Sequence, residues 1–114
     1  MANTFKLKST SNVGVSTVGI YTATSPVTAT VVIGITLANT SGSSINVGVG
    51  ITRPTADTTK QDINLVKNVP IPQGSTLEFM QGNKIVLEAE DTITAVSDVN
   101  NSLDVALTIM EITP

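Results

Sequence analysis

Apolar and polar residues alternate along most of this chain. In residues 84–112 (KIVLEAEDTITAVSDVNNSLDVALTIMEI), Ile85, Leu87 and Ala89 alternate with Lys84, Val86, Glu88 and Glu90. Ile93, Ala95 and Ser97 alternate with Thr92, Thr94 and Val96, and Leu103, Val105, Leu107 and Ile109 with Ser102, Asp104, Ala106 and Thr108. A period of two places successive side chains on opposite faces of a strand, so each segment can bury one face and wet the other. Glu90-Asp91 and residues 98–101 (DVNN) punctuate the three segments as turns.

The same grammar runs upstream. Residues 3–8 read as a short strand with Phe5 and Leu7 on one face and Lys6 and Lys8 on the other, and residues 9–17 as polar and irregular. Val18, Ile20 and Tyr21 suggest a second strand, ended by Pro26. In residues 28–38, Val31, Ile33, Ile35 and Leu37 share one face, and Val32, Gly34, Thr36 and Ala38 the other. Residues 39–43 (NTSGS) form a turn, after which Ile45, Val47, Val49 and Ile51 alternate with Asn46, Gly48, Gly50 and Thr52. Those glycines either mark bulges, the favoured reading, or admit another backbone closely.

Beyond a polar loop at residues 53–62, a strand spans residues 63–69. Pro70 and Pro72 then remove backbone donors, which puts this segment at an edge or leading into a loop. Leu77 and Phe79 alternate with Glu78 and Met80. The alternation slips at residues 109–112 (IMEI), a hint of a bulge in the last strand. SINVGVGI at residues 44–51 echoes SLDVALTI at residues 102–109. Strand patterning alone accounts for the echo; as a true repeat it would imply two equivalent hairpins.

About eight or nine short strands with no credible helix predict an all-β fold, a single-domain antiparallel β-sandwich of jelly-roll or Greek-key type. Residues 1–12 are expected to be a short N-terminal arm carrying the first strand, and residues 13–114 the sandwich.

Composition sharpens this picture. The 114 residues suit one domain with a real core. There is no cysteine and no histidine, and Phe5, Tyr21 and Phe79 are the aromatic residues, so the core must be aliphatic. A cysteine-free chain has no disulfide or thiolate site and fits a reducing cytoplasm. Charged residues make up 13% of the chain, against about 25% in an ordinary domain. Either a Ser/Thr/Asn surface is solvated, or part of the surface is buried in neighbours. Lys6, Lys8, Arg53, Lys60, Lys67 and Lys84 are scattered and the net charge is −3, which argues against nucleic-acid binding. The start lacks the apolar core of a signal peptide, and the apolar run at residues 31–37 is too short to cross a bilayer, so no membrane partner is expected.

The remaining polar residues offer few groups for chemistry. Without His or Cys, a hydrolytic triad has only Lys or carboxylate bases to draw on. Glu88 and Glu90 share a strand face beside Asp91 and could serve a glycosidase or hold Ca²⁺, but a solvated outer face running into a turn is the favoured reading. Residues 98–104 superficially resemble a calcium loop. Leu103 stands where the sharp-turn Gly belongs and Ile109 where the bidentate Glu belongs, so a hairpin turn is expected. No catalytic, metal or cofactor residue is assigned, and the chain is expected not to be an enzyme.

Three segments carry a resemblance: residues 20–51 (IYTATSPVTATVVIGITLANTSGSSINVGVGI), residues 65–74 (LVKNVPIPQG) followed by STLEF, and residues 84–112. They resemble small virion structural proteins of tailed phages, marine cyanophages in particular. The resemblance implies a β-sandwich that coats or joins parts of a virus particle, and it carries over no catalytic residue.

The leading expectation is a capsid decoration (cement) protein on the outer head, bridging major capsid subunits. Its partners would be the major capsid protein or other virion proteins and copies of itself, a trimer being plausible. A tail, neck or fibre module is the alternative, and a carbohydrate-binding module using Tyr21 comes third. Val32, Val66, Met80, Val86, Val96 and Met110 fall on the face opposite the main aliphatic row of their strands. With Phe5 and Leu7 they are the candidate interface, although extra cover in a sandwich would bury them equally well.

Overall fold

Strands make up most of the described backbone. A computed structural model describes residues 2–54, 59–78 and 84–114. Among these, nine strands follow in order: β1 (Ala2–Val13), β2 (Val18–Thr22), β3 (Ala29–Asn39), β4 (Ile45–Thr52), β5 (Ile63–Ile71), β6 (Thr76–Glu78), β7 (Ile85–Glu88), β8 (Thr92–Ser97) and β9 (Leu103–Thr113). They form two antiparallel sheets. One has the order β1-β9-β3-β6 with β7 also on β3, and the other the order β2-β8-β4-β5. The fold is therefore the all-β sandwich that the alternation predicts.

β6 and β7 lie in succession along the same edge of β3, β6 on residues 36–38 and β7 on residues 29–32. They act as one interrupted edge strand. Residues 79–83, which include the expected strand residues Phe79 and Met80, lie outside the described residues.

The core lies between the sheets. One sheet contributes Val32, Ile35, Leu37, Leu87, Leu103, Val105, Leu107 and Ile109, and the other Ile45, Val47, Val49, Ile51, Ile93 and Ala95, all buried. It is aliphatic, as a chain with so few aromatic residues requires.

Three features depart from the sequence pattern. First, Ser9 to Val13 are not irregular but extend β1, which pairs with β9 from Ala2 onward. Second, the β3 alternation breaks at Ile33, where the register against β9 shifts between Val32 and Gly34. This bulge turns Val32 into the core, beside Ile35 and Leu37 beyond it, and sends Val31 to the outside. Third, β9 itself shows no slip against β3 at residues 109–112. Its alternation continues inward to Glu111, a buried polar residue rather than a bulge.

β5 is an edge strand, as Pro70 requires, and its register against β4 shifts twice. Asn68, at one of these shifts, takes φ +55°, a conformation that Asn tolerates. The bulged strand leans over β4, so a Cβ on Gly50 would lie 2.8 Å from the Ile63 carbonyl oxygen. Close backbone approach and bulging thus occur together at this glycine.

The two echoing segments occupy β4 and β9, an interior strand of each sheet. Neither forms a hairpin with the strand before it, because the turns before them cross from one sheet to the other. The first crossing is built on Asn39, which is 5% exposed. Its Nδ2 donates to the carbonyls of Ser43 (2.8 Å) and Ile71 (2.9 Å), and its Oδ1 accepts from the Ser41 backbone N–H (2.9 Å) and hydroxyl (2.8 Å). In the second, the Ser97 and Ser102 hydroxyls meet at 2.6 Å, and Asn101 takes φ +51°. Asn39→Ala is expected to lower the unfolding free energy by about 2–3 kcal/mol in urea denaturation, because the buried bond to the Ile71 carbonyl is lost together with the bonds that shape the turn. A loss under about 0.5 kcal/mol would show that Asn39 does not hold the crossing.

Candidate interaction surface

β1 is polarised in reverse. Its pairing with β9 sets Lys6 opposite Ile109 and Lys8 opposite Leu107, both core residues, and Phe5 and Leu7 opposite Met110 and Thr108 on the outer face. Phe5 and Leu7 are each 70% exposed. The lysines turn inward because charged and aromatic partners wait there. Lys6 Nζ lies 2.7 Å from Glu111 Oε1, and Lys8 Nζ lies 6.0 Å from the centre of the Tyr21 ring.

Tyr21 joins this inner network. Its hydroxyl donates to Glu111 Oε2 at 2.6 Å and lies 2.8 Å from the Thr30 hydroxyl. Burial, then the Glu111 bond and charge, push the Tyr21 phenol up to about 12. The Lys6 ion pair and the Tyr21 bond hold the Glu111 carboxyl below the usual range. Tyr21 is buried, so it offers no ring to a sugar, which removes the footing of the carbohydrate-binding reading.

Register assembles the outer face of this sheet row by row. Phe5 pairs with Met110, Met110 with Val31, and Val31 with Val86, giving one apolar row across four strands. Val86 is 59% exposed. One row further along, Leu7, Thr108 and Gly34 align, and beyond them Ser9, Ala106 and Thr36. The small residues there leave a hollow of about 340 Å³ lined by Ser9, Thr36, Ala38, Asp104 and Ala106.

The candidate interface residues therefore separate. Phe5, Leu7, Met110 and Val86 come together on this one face. Val32 does not join them: the Ile33 bulge buries it completely, so it is withdrawn from the set. Val66 packs partly against the core because β5 is bulged. Val96 lies on the outside of the opposite sheet, beside a groove of about 270 Å³ floored by Gly48 and Gly50 and flanked by Asn46, Asn64 and Lys67. Met80 lies outside the described residues. Val31 was missed because strict alternation put it in the core.

The carboxylates considered for chemistry are engaged in structure. Asp91 is buried, accepting from Arg53 Nε at 3.0 Å and from the Glu88 backbone N–H at 2.9 Å. Glu88 pairs with Arg53 Nη2 and, at 3.4 Å, with Lys60. Glu90 sits in the turn at φ +70°. This cluster ties the segment after β4 to the β7–β8 turn. Asp98 and Asp104 do not converge, since each accepts from a different backbone N–H, Asn46 (2.9 Å) and Asn12 (3.0 Å) respectively.

No protein-family model matches the chain, and no curated protein matches it. Solved structures do. One is a protein of Bacillus endospore appendages, which form disulfide-linked pili; it is 13% identical with a TM-score of 0.53, over 99% of this chain and 88% of that one. Another is a pentameric capsid protein from metagenomic phage sequences, 16% identical with a TM-score of 0.46, over 96% and 67% of the two chains. A second structure of such a pentameric capsid protein gives 15% identity and a TM-score of 0.43 over 96% and 68%. At these identities the likeness to the appendage protein is one of fold, a β-sandwich matched from end to end.

Proposed function

We propose that this protein is a structural component of a tailed-phage virion, a capsid decoration protein that sits on the outer head and bridges major capsid subunits. The observation that carries this reading is the reversed polarity of β1. A strand that turns its lysines inward and exposes Phe5 and Leu7 gives up apolar burial in the monomer, and recovers it when a neighbour covers that face. The three segments resembling virion structural proteins point the same way. So does the low charge content, which suits a surface that packs against other subunits.

Bridging needs two contact surfaces. The Phe5–Met110–Val31–Val86 face and the groove beside Val96 lie on opposite sheets, so a neighbour on one, whether another copy or a capsid subunit, leaves the other for a second contact. The polar chemistry that would argue for catalysis is taken up elsewhere, with Asp91 and Glu88 on Arg53 and Glu111 on Lys6 and Tyr21.

The test is to add purified protein to capsids that lack it and to sediment the mixture. Saturable co-sedimentation at a fixed ratio to the major capsid protein is expected. Failure to bind overturns the decoration reading. Antibody-gold label confined to the tail or vertex of intact particles would replace it with a tail or neck module.

A further inference from the structure

We infer that the outer face of the β1-β9-β3 sheet is a self-complementary interface, on which two copies of this chain pack face to face about a twofold axis. This does not rest on the virion reading, and it is tested in solution without capsids.

The face has two unlike halves. One is a ridge, the row of Phe5, Met110, Val31 and Val86. The other is the hollow over Ser9, Ala106 and Thr36. The rows are four residues apart along the strands, roughly 13 Å at about 3.3 Å per residue. Midway between them lies the row of Leu7, Thr108 and Gly34.

A twofold axis in the plane of the interface, crossing the strands at this middle row, reverses the strand direction and keeps β9 over β9. It lays the ridge of each copy over the hollow of the other, Met110 over the partner's Ala106 and Phe5 over the partner's Ser9. Leu7 then meets the partner's Leu7 on the axis in the β1 column, while in the β3 column Gly34, where an added Cβ would meet nothing within 4 Å, faces the partner's Gly34. This is the reciprocal pattern of an isologous contact.

Charge admits a second copy. Along the three strands, the outward positions from Asn3 to Ser9, Ala29 to Ala38 and Ala106 to Ile112 hold no charged residue. A neutral face does not repel its own image, and it offers nothing to a partner recognised by charge. Asp104 lines the far end of the hollow and Glu78 and Glu88 lie on the edge strand; about this axis they face the partner's Ile112, the partner's Val86 and the partner's Thr76, so no acid meets its own image.

Area is adequate. β1, β9, β3 and the end-to-end β6 and β7 as a polar rim, about 4.8 Å apart and roughly 30 Å long, give on the order of 600 Å² per copy, or about 1,200 Å² in total, against the ~1,000 Å² that a specific interface clears.

The experiment is light scattering on size-separated protein at about 100 µM, a concentration that populates a dimer of micromolar affinity. The chain is 11.8 kDa, and twice that mass is expected. Ala106→Arg, which fills the hollow, and Leu7→Glu, which charges the axis, should each return the mass to one copy while circular dichroism keeps its β-sheet form. The chain has no cysteine, so a single introduced thiol reads geometry directly. Thr108→Cys should give a covalent dimer with a bismaleimide of about 10 Å span, the spacing of packed sheets. Asn46→Cys on the opposite sheet should not.

A monomeric wild type overturns the inference and leaves the face to a different protein. A trimer or pentamer overturns it as well, because those rings use head-to-tail contacts. So does a dimer that survives Ala106→Arg, or one that cross-links through Asn46→Cys.

Discussion

Val32→Asp is expected to abolish folding, whereas Val31→Asp, one residue earlier, leaves the monomer folded. Val32 is fully buried between the sheets, against Ile109 across β9. A carboxyl group there has no partner and costs several kcal/mol whether it stays charged or takes up a proton. Losses above about 4–5 kcal/mol come from such buried unpaired groups, and they consume most of the ~5–15 kcal/mol that holds a domain of this size. Val31 lies on the outer face between Met110 and Val86, where a carboxylate reaches water, and a loss of about 1 kcal/mol or less is expected for the monomer. Soluble yield and urea denaturation of the two variants read the difference. The comparison is sharp because plain alternation along residues 28–38 orders the pair the other way round. If Val31→Asp is the variant that fails, the Ile33 bulge is absent and the strand keeps one phase throughout.

The second large effect concerns Tyr21 and Glu111. The Tyr21 phenol is pushed from 10.0 up to about 12, first by burial and then by its bond to Glu111. The folded protein therefore keeps the phenolic proton in a range where the unfolded chain, titrating near 10, has lost it. Stability from this group is fully present below about pH 10 and is lost as pH rises toward 12, at about 1.4 kcal/mol per pH unit. The loss across the window is about 2–3 kcal/mol.

Tyr21 is the one tyrosine of the chain and there is no tryptophan, so phenolate absorbance reports this residue alone. A native midpoint near 12 is expected. Glu111→Gln should move it part of the way back toward 10, because burial, the largest cause, remains. Tyr21→Phe removes the alkaline loss and costs about 1.5–3 kcal/mol at neutral pH, the range for a hydrogen bond to a charged group. A native midpoint at 10 would mean that the phenol is solvated and the network open.

Glu111 works in the opposite direction. Its carboxyl is held low by Lys6 and Tyr21, so its contribution is present above the unfolded carboxylate range and is lost as pH falls through the folded value. Part of the Lys6 pair is solvent-screened, since the lysine side chain is 43% exposed. The same network secures β1 to the sandwich, and β1 carries the apolar residues that the proposed interfaces use.

The pattern of single strands was legible from the residues alone. β4, β8 and most of β9 bury the aliphatic rows that alternation assigns to them, because a half-buried strand must place every second side chain in one environment. Pro70 was enough to send β5 to an edge. The absence of His and Cys, the low charge and the outer-face candidates Phe5, Leu7, Val86 and Met110 were also visible there.

Phase and partnership were not. A bulge adds one residue without any mark in composition, so Val31 and Val32 exchanged roles only once β3 was laid against β9. Glu111 reads as a slip in the pattern until Tyr21 and Lys6 arrive from 90 and 105 residues away in the chain to satisfy it. Alternation in β1 separates lysines from Phe5 and Leu7 but does not say which set faces in. That choice fell to the tertiary structure, where the buried Glu111 carboxylate pairs with Lys6 and the Tyr21 ring faces Lys8. The amino-acid order determined which residues share a face; the packing of one sheet on the other decided which face meets the core and which is left for a neighbour.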